Sequence, residues 1–378
     1  MTDAPLRILQ ILRAPVGGLF RHVRDLTFEL AERGHQIGVL ADSLTSDGLT
    51  SARLDELATV ATLGIYRLPM PRVMGISDIT TPLAARRLAA RLNIEVAHGH
   101  GAKGGLTARL VRKGRRDRVA LYTPHGGVLN YRPASITGKA FRQMERLLLT
   151  QTDAIVFESA FAQTAYRQMI AEPRCLAPVI HNGLKPSEFV PIVPGPPASD
   201  FVFIGEFRAV KGINFLLEAL VGVKALDGRP ATLIMAGGGP DMDATRALIA
   251  ELGLGTRVEL TGVLPAREAL ARGRCAVVPS LAESLPYVIL EAASATLPVI
   301  STTVGGIAEI FGPTAGSLVP PSNTAALREA MQRFMDDPKA AQAEMLTRLA
   351  FIAPRFSVAH MADQIEVLYR EVLTRRRA

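Results

Sequence analysis

Short apolar runs, each followed by a turn and then by helical spacing, recur from one end of this chain to the other. That alternation narrows the fold more than any other feature. Residues 8–12 are such a run. After the turn at 14–18, Leu19, Val23, Leu26, Leu30 and Ala31 form a helical stripe that Gly34 is placed to end. A strand resumes at 36–41, and the pattern returns at 94–100, 119–125 and 154–159, with a helix expected over about 105–113. Residues 182–200 interrupt it, with five prolines between Pro186 and Pro197, and read as a linker. Beyond them the alternation restarts: apolar runs at 201–204, 232–236, 257–262, 275–279 and 298–301, and helices from Asn214 to Leu226 and from near Leu285. Strands that alternate with helices pair in parallel and need helices on both faces. The expected fold class is α/β, with two doubly wound Rossmann-like domains. The last periodic stretch, 357–373, reads as a terminal helix.

At 378 residues the chain is long enough for two or three domains. Cys175 and Cys275 stand far apart, which excludes a disulfide framework and a cysteine zinc site. No segment reaches the roughly eighteen uninterrupted apolar residues of a membrane span, and the N-terminus lacks a secretion signal, so a soluble, cytoplasmic protein is expected. The charge is uneven. Residues 1–185 hold 25 Lys and Arg against 15 Asp and Glu; residues 186–378 hold 18 against 20. Residues 101–150 alone carry 11 basic and 2 acidic side chains. An anionic partner for the first domain follows: a phosphorylated ligand or an anionic membrane surface. With no tryptophan and 5% aromatics, and no nucleic-acid-reading motif, nucleic acid is excluded.

Two loops carry the chemistry. Ser280 to Pro286 follows an apolar strand and opens a helix, with Ser284 placed as N-cap and Pro286 in the first turn. Free amides and the positive dipole end there suit a phosphate, and Glu283 and Glu291 stand around the same helix start. As an isolated pair, the two glutamates are more simply a capping carboxylate and a solvated helix residue. The loop Gly205–Gly212 also follows a strand, and Arg208 and Lys211 on it can neutralise a diphosphate without a metal. His98 and His100 share one strand face but show no third ligand at metal spacing, so metal is expected to be absent. The glycines of 99–105 lack a Walker ending and read as a strand-to-helix turn, as does Gly237–Gly239. Asn182-Gly183 reads as a turn.

Taken together, the Gly17-Gly18 loop before a helix, His125 after a strand, Lys211-Gly212, and Glu283 with seven residues before Glu291 resemble the retaining nucleotide-sugar glycosyltransferases of family four, with the GT-B fold. The resemblance covers essentially the whole chain. It implies an acceptor-side domain over 1–185, joined by a returning helix at about 357–378, and a donor-binding domain over 186–356, facing across a cleft and closing about 186–197. It implies that Lys211, helped by the amides at Ser284 and Leu285, holds the donor diphosphate. Glu291 takes the ribose hydroxyls, Glu283 sits beside the transferred sugar, and His125 approaches that sugar. Gly17 and Gly18 let backbone come close to donor and acceptor. The substrates are then a nucleoside diphosphate sugar and a hydroxyl acceptor, with no cofactor. The family often has an arginine where this chain has Glu206; Arg208 is expected to supply that charge. A lipid-linked or membrane-bound acceptor would be met by the basic face at 101–150. A nucleotide-sugar epimerase of the same fold and a non-catalytic basic surface-binding module are the alternatives.

Overall fold

The computed structural model describes residues 4–44, 48–73, 75–126 and 136–378. The backbone divides into two units, one made of Met1–Gly183 with Val358–Ala378 and the other of Leu184–Ser357.

In the first unit the elements run β1 (Arg7–Leu12), α1 (Gly17–Glu32), β2 (Gln36–Asp42), α2 (Gly48–Ala58), β3 (Gly64–Leu68), α3 (Ser77–Arg91), β4 (Val96–His100), α4 (Gly101–Arg112), β5 (Val119–Thr123), α5 (Ile136–Leu148), β6 (Ala154–Ile155) and α6 (Ala160–Met169). The strands form one parallel sheet in the order β3-β2-β1-β4-β5-β6. β4 and β5 are buried along their whole length, as strands covered on both faces must be. Helix α4 begins directly at Gly101, so of the glycines expected to shape a turn Gly99 lies in β4 and Gly101, Gly104 and Gly105 lie inside the first two turns of α4. They serve close packing on the sheet: a Cβ on Gly104 would lie 2.2 Å from the Ile11 carbonyl oxygen.

The second unit runs β7 (Ser199–Ile204), α7 (Ile213–Val221), β8 (Leu233–Ala236), α8 (Met242–Glu251), β9 (Val258–Gly262), α9 (Ala266–Leu270), β10 (Gly273–Val278), α10 (Tyr287–Ser294), β11 (Val299–Ser301), α11 (Ile307–Phe311), α12 (Thr324–Asp336) and α13 (Pro338–Ile352). Its parallel sheet has the order β11-β10-β7-β8-β9. One apolar cluster, with Phe201, Phe203, Leu216, Leu220, Met331 and Phe334, packs against one face. A second, with Val202, Ile234, Leu290, Ile310 and Phe356, packs against the other. The alternation of Phe201, Val202 and Phe203 between the two clusters is the period-two rule of a strand.

The chain then returns to the first unit as α14 (Val358–Arg377). Val358, Met361, Ala362, Ile365, Leu368, Tyr369 and Val372 join Ile8, Leu26 and Leu30 in one cluster. That three-and-four spacing marks an amphipathic helix lying on the sheet.

The proline-rich stretch differs from the expected linker. Pro186–Phe189 is a turn of 3-10 helix, Arg267 donates to the Glu188 and Val190 carbonyls, and Ile192 N–H donates to Ala295. The stretch is fastened to the second unit, and the chain passes between units at 183–184 and 357–358. Proline density marks where a helix or ladder stops; whether the segment is tied down depends on partners remote in sequence.

Candidate active site

In an open parallel sheet, ligands bind beyond the carboxyl ends of the strands where the strand order reverses. The second sheet reverses between β7 and β10. The loop after β7 is a short 3-10 turn, Ala209–Lys211, closed by Gly212 at φ +66°. The loop after β10 runs from Pro279 to Pro286. Leu281 N–H donates to the Val210 carbonyl at 2.8 Å, which zips the two loops together. Across this seam Lys211 Nζ donates to Glu283 Oε1 at 2.6 Å, and Ser280 Oγ donates to the same oxygen at 2.7 Å. The side chains of Lys211 and Glu283 are 25% and 12% exposed. The two residues expected to serve phosphate and sugar are therefore each other's counter-ions.

Two glycines let this seam close. A Cβ on Gly212 would stand 2.1 Å from the Pro279 carbonyl oxygen, in a left-handed conformation that itself disfavours side chains. A Cβ on Gly305, φ +59°, would stand 1.8 Å from the Glu283 carbonyl oxygen. The loop after β11 is thus pressed against the backbone of Glu283, with Gly306 N–H donating to the Ser284 carbonyl at 2.7 Å. Nothing in the local sequence distinguishes Gly305 from any turn glycine, so this third loop was not legible there.

Helix α10 starts at Tyr287 with Pro286 at its N-cap. Ser284 is therefore two residues ahead of the cap position expected for it, and Leu285 is buried, because Pro286 has extended backbone and delays the helix. Glu291, half-buried, lies just over one turn into α10. Arg208 is half-exposed with Nη1 3.5 Å from Glu206 Oε2. The charge expected to replace the missing arginine is thus paired with the residue standing in that arginine's place.

The first sheet reverses between β1 and β4, and the remaining candidates are there. Gly17, φ +62°, and Gly18 open α1 just beyond β1 and are exposed; no protein atom lies within 4 Å of a Cβ built on Gly17. His100 ends β4, and His125 follows β5 at φ +47°, a backbone region uncommon for a side chain with a Cβ. His22, one turn and a half into α1, brings its ring within 4.9 Å of His125 and 5.5 Å of His100. His100 Nδ1 lies 3.2 Å from His125 Nε2. His22, His100 and His125 each present a ring nitrogen within 4.8 Å of the other two.

This corrects the expectation that His100 has only His98 beside it. His98 is occupied by Tyr369 OH at 2.7 Å and Thr123 Oγ1 at 2.8 Å, while two histidines distant in sequence complete a three-nitrogen group around His100. Asn182, read from the sequence as a turn residue, accepts from His22 Nδ1 at 3.0 Å through its Oδ1, and Gln10 Oε1 accepts from His100 Nε2 at 2.7 Å. These bonds fix tautomers that turn the other ring nitrogens inward, an arrangement able to hold a divalent ion. Burial dominates the protonation. The imidazoles of His22 and His125 are pushed down to about 3, and those of His98 and His100 well below their usual range. All four are neutral at physiological pH.

Part of the basic stretch at 101–150 is spent inside the unit, while Lys113, Arg115, Arg116, Lys139 and Arg146 are exposed. Arg109 forms a buried two-point pair with Glu145 at 2.6 and 3.0 Å, and its guanidinium lies 4.2 Å from the Tyr122 ring centroid. Arg112 binds Asp153, Lys103 binds Asp78, and Arg118 is buried on the Ile94 and Ala89 carbonyls. A charge count along the sequence cannot see these partners. Residues 127–135 of that stretch lie outside the described residues.

Residues 16–188 match the model of Glycosyltransferase Family 4, and residues 198–337 match that of Glycosyl transferases group 1. The chain carries the two domains of a group 1, family 4 glycosyltransferase. It is 29% identical over 175 residues to an alpha-D-kanosaminyltransferase of Streptomyces kanamyceticus, covering 45% of each chain, so it spans about half the length of that relative. Against a glycogen synthase of Mycobacterium tuberculosis it is 25% identical over 351 residues, covering 86% of this chain and 84% of that one. The fold is that of a sucrose-phosphate synthase from Thermosynechococcus elongatus, a GT-B structure, with a TM-score of 0.80, 22% identity, and coverage of 98% and 100%. Both glycosyltransferase domains therefore end their sheets in the loops described above.

Proposed function

We propose that this glycosyltransferase moves a sugar from a nucleoside diphosphate donor to a hydroxyl acceptor, retaining the anomeric configuration and using no metal. The observation that supports it most is the Lys211–Glu283 pair at the switch point of the second sheet. A diphosphate entering there competes with the carboxylate for the ammonium and gains a charge-assisted contact. The reaction breaks the bond from the anomeric carbon to the diphosphate and forms one to the acceptor oxygen; the acceptor proton passes to the departing phosphate. Negative charge grows on the leaving group, so a preorganised cation is worth more in the transition state than a strong base would be. Glu283, once released from Lys211, is free to meet the transferred sugar. Glu291 serves the ribose, and His125, held neutral, donates or accepts a hydrogen bond on the sugar without adding charge.

The test is a panel of nucleoside diphosphate sugars screened by thermal shift, since a true donor raises the melting temperature by mass action. The stabilising donor is then incubated with acceptor, and the product anomer is read by NMR. An inverted product removes retention. Conversion of donor alone into an isomeric nucleotide sugar favours the epimerase. EDTA is expected to leave transfer intact; a loss restored by zinc would move the chemistry onto His22, His100 and His125.

A further inference from the structure

The outer face of α3 breaks the ordinary rule for a surface helix. Ile76, Ile79 and Leu83 are 80%, 68% and 52% exposed, and Val73 in the loop before them is 77% exposed. At about 100° per residue, Ile76, Ile79, Leu83, Arg86, Arg87 and Ala90 fall on one arc roughly 100° wide. The opposite face, with Thr81, Pro82, Ala85, Leu88 and Ala89, is buried in the unit. The outward stripe is therefore apolar over the first half of the helix and basic over the second. Arg72 stands on the other side of the apolar tip, so exposed arginines flank it at both ends.

The tip is preformed. Thr81 Oγ1 donates to the Pro69 carbonyl at 2.5 Å, Gly75 N–H donates to Asp78 Oδ2 at 2.9 Å, and Lys103 Nζ reaches both the Val73 carbonyl, at 3.3 Å, and Asp78 Oδ1, at 2.5 Å. Asp78 is the sole acidic residue between positions 69 and 91, and Lys103 neutralises it from the inner side. The face that remains combines large apolar side chains with positive charge alone.

We propose that this face docks on an anionic lipid bilayer, with Val73, Ile76, Ile79 and Leu83 entering the headgroup–acyl boundary and Arg72, Arg86 and Arg87 taking the lipid phosphates. Interfacial helices need such a division between an apolar part and a basic part, and arginine stems lie along the apolar zone while their heads stay at the phosphates. The charge pattern selects the lipid over a second copy of the chain. A two-fold contact through this stripe would set arginines against arginines with no acid in the segment to relieve them. The membrane contact expected from the basic charge of 101–150, where Arg109, Arg112 and Arg118 are internally paired, is thus assigned to α3, the face that joins an apolar stripe to its positive charge. Donor chemistry plays no part in this binding, so its failure and that of the transfer reading are separable.

The experiment is co-sedimentation of the whole protein with phosphatidylcholine vesicles containing one-third phosphatidylglycerol, and with pure phosphatidylcholine vesicles, at 0.15 M salt. Binding is expected to the first and to be at least tenfold weaker on the second, since each arginine near an anionic surface contributes roughly fivefold. Ile79→Ser with Leu83→Ser is expected to cut binding more than tenfold, with circular dichroism and nucleotide thermal shift unchanged. The chain has no tryptophan, so Ile79→Trp gives a clean reporter: its emission should shift to the blue and be quenched by brominated lipid. Equal binding to both vesicle types, or an unquenched reporter, overturns the proposal. So does lipid-free, concentration-dependent self-association that the double serine variant abolishes, which would give the face to a second copy.

Discussion

Lys211 and Glu283 are joined by one short bond, so removing either has two consequences. Lys211→Ala takes away the diphosphate contact, which costs roughly 1.5–3 kcal/mol, and also leaves Glu283 without its cation. Transfer is expected to fall by about ten- to a hundredfold in a protein whose circular dichroism is unchanged; near-normal turnover would remove the lysine from the site. Glu291→Ala should raise the donor KM, because ribose contacts are made before and during the reaction alike, whereas Glu283→Ala should lower kcat more than it raises KM. The opposite ranking would exchange the two roles. The buried histidines make a separate prediction. His22 has a folded value of about 3 against about 6.5 in the unfolded chain, so the unfolded state binds the extra proton between those values. Its contribution is therefore unaffected above pH 6.5, and stability is lost as the pH falls from 6.5 toward 3, by up to about 1.4 kcal/mol per pH unit. Urea unfolding of His22→Gln should show a shallower pH slope than the wild type between pH 6.5 and 4; parallel slopes would show that this imidazole is not held neutral by burial.

At the scale of elements, the donor-side candidates depend on three loops held in register by backbone. Gly212→Ala forces a Cβ onto the Pro279 carbonyl and a side chain into a left-handed conformation, a strain of about 1–3 kcal/mol. The loops after β7 and β10 must then separate, which parts Lys211 from Glu283. Weakened nucleotide binding by calorimetry is the expected result, with a lowered melting temperature. Gly305→Ala presses on the Glu283 carbonyl in the same way and should lower turnover, although Gly305 itself offers no side chain to any substrate. Wild-type kinetics in Gly305→Ala would mean that the loop after β11 yields without moving Glu283.

For the whole molecule, the returning helix ties the two ends of the chain into one unit. α14 buries eight side chains, and its Tyr369 OH meets His98, the neighbour of His100 on β4. A variant ending at Ser357 should lose amide protection throughout the first sheet in hydrogen exchange, while the second unit, closed by its own two clusters, keeps its protection and its nucleotide binding. Full protection of the first sheet without α14 would show that the helix is an appendage. Tyr369→Phe should cost on the order of 1 kcal/mol, the usual net worth of a buried hydrogen bond.

The amino-acid sequence alone determined the local grammar: apolar runs of strand length, helical stripes between them, Gly34 ending α1, and the glycine, lysine and glutamate motifs at strand ends. These are short-range properties, set by side-chain period and backbone preference, and they carried the fold class; the family resemblance carried the choice of Gly17, Gly18, His125, Lys211, Glu283 and Glu291 as candidates. What meets what was decided only by the tertiary structure. His22, His100 and His125 come from three elements spread over a hundred residues; Glu283 finds Lys211 across 72 positions; and Arg109, Arg112 and Arg118, counted with a basic surface, turn inward to Glu145, Asp153 and backbone carbonyls. The helix start expected at Ser284 moved because Pro286 takes extended backbone, and the proline-rich linker became a fastened segment because Arg267, some eighty residues on, reaches its carbonyls. The physical reason is common to all of these. Pairing of charges and burial of polar groups depend on distance in space, and a parallel sheet brings strand ends together from positions that the sequence keeps far apart.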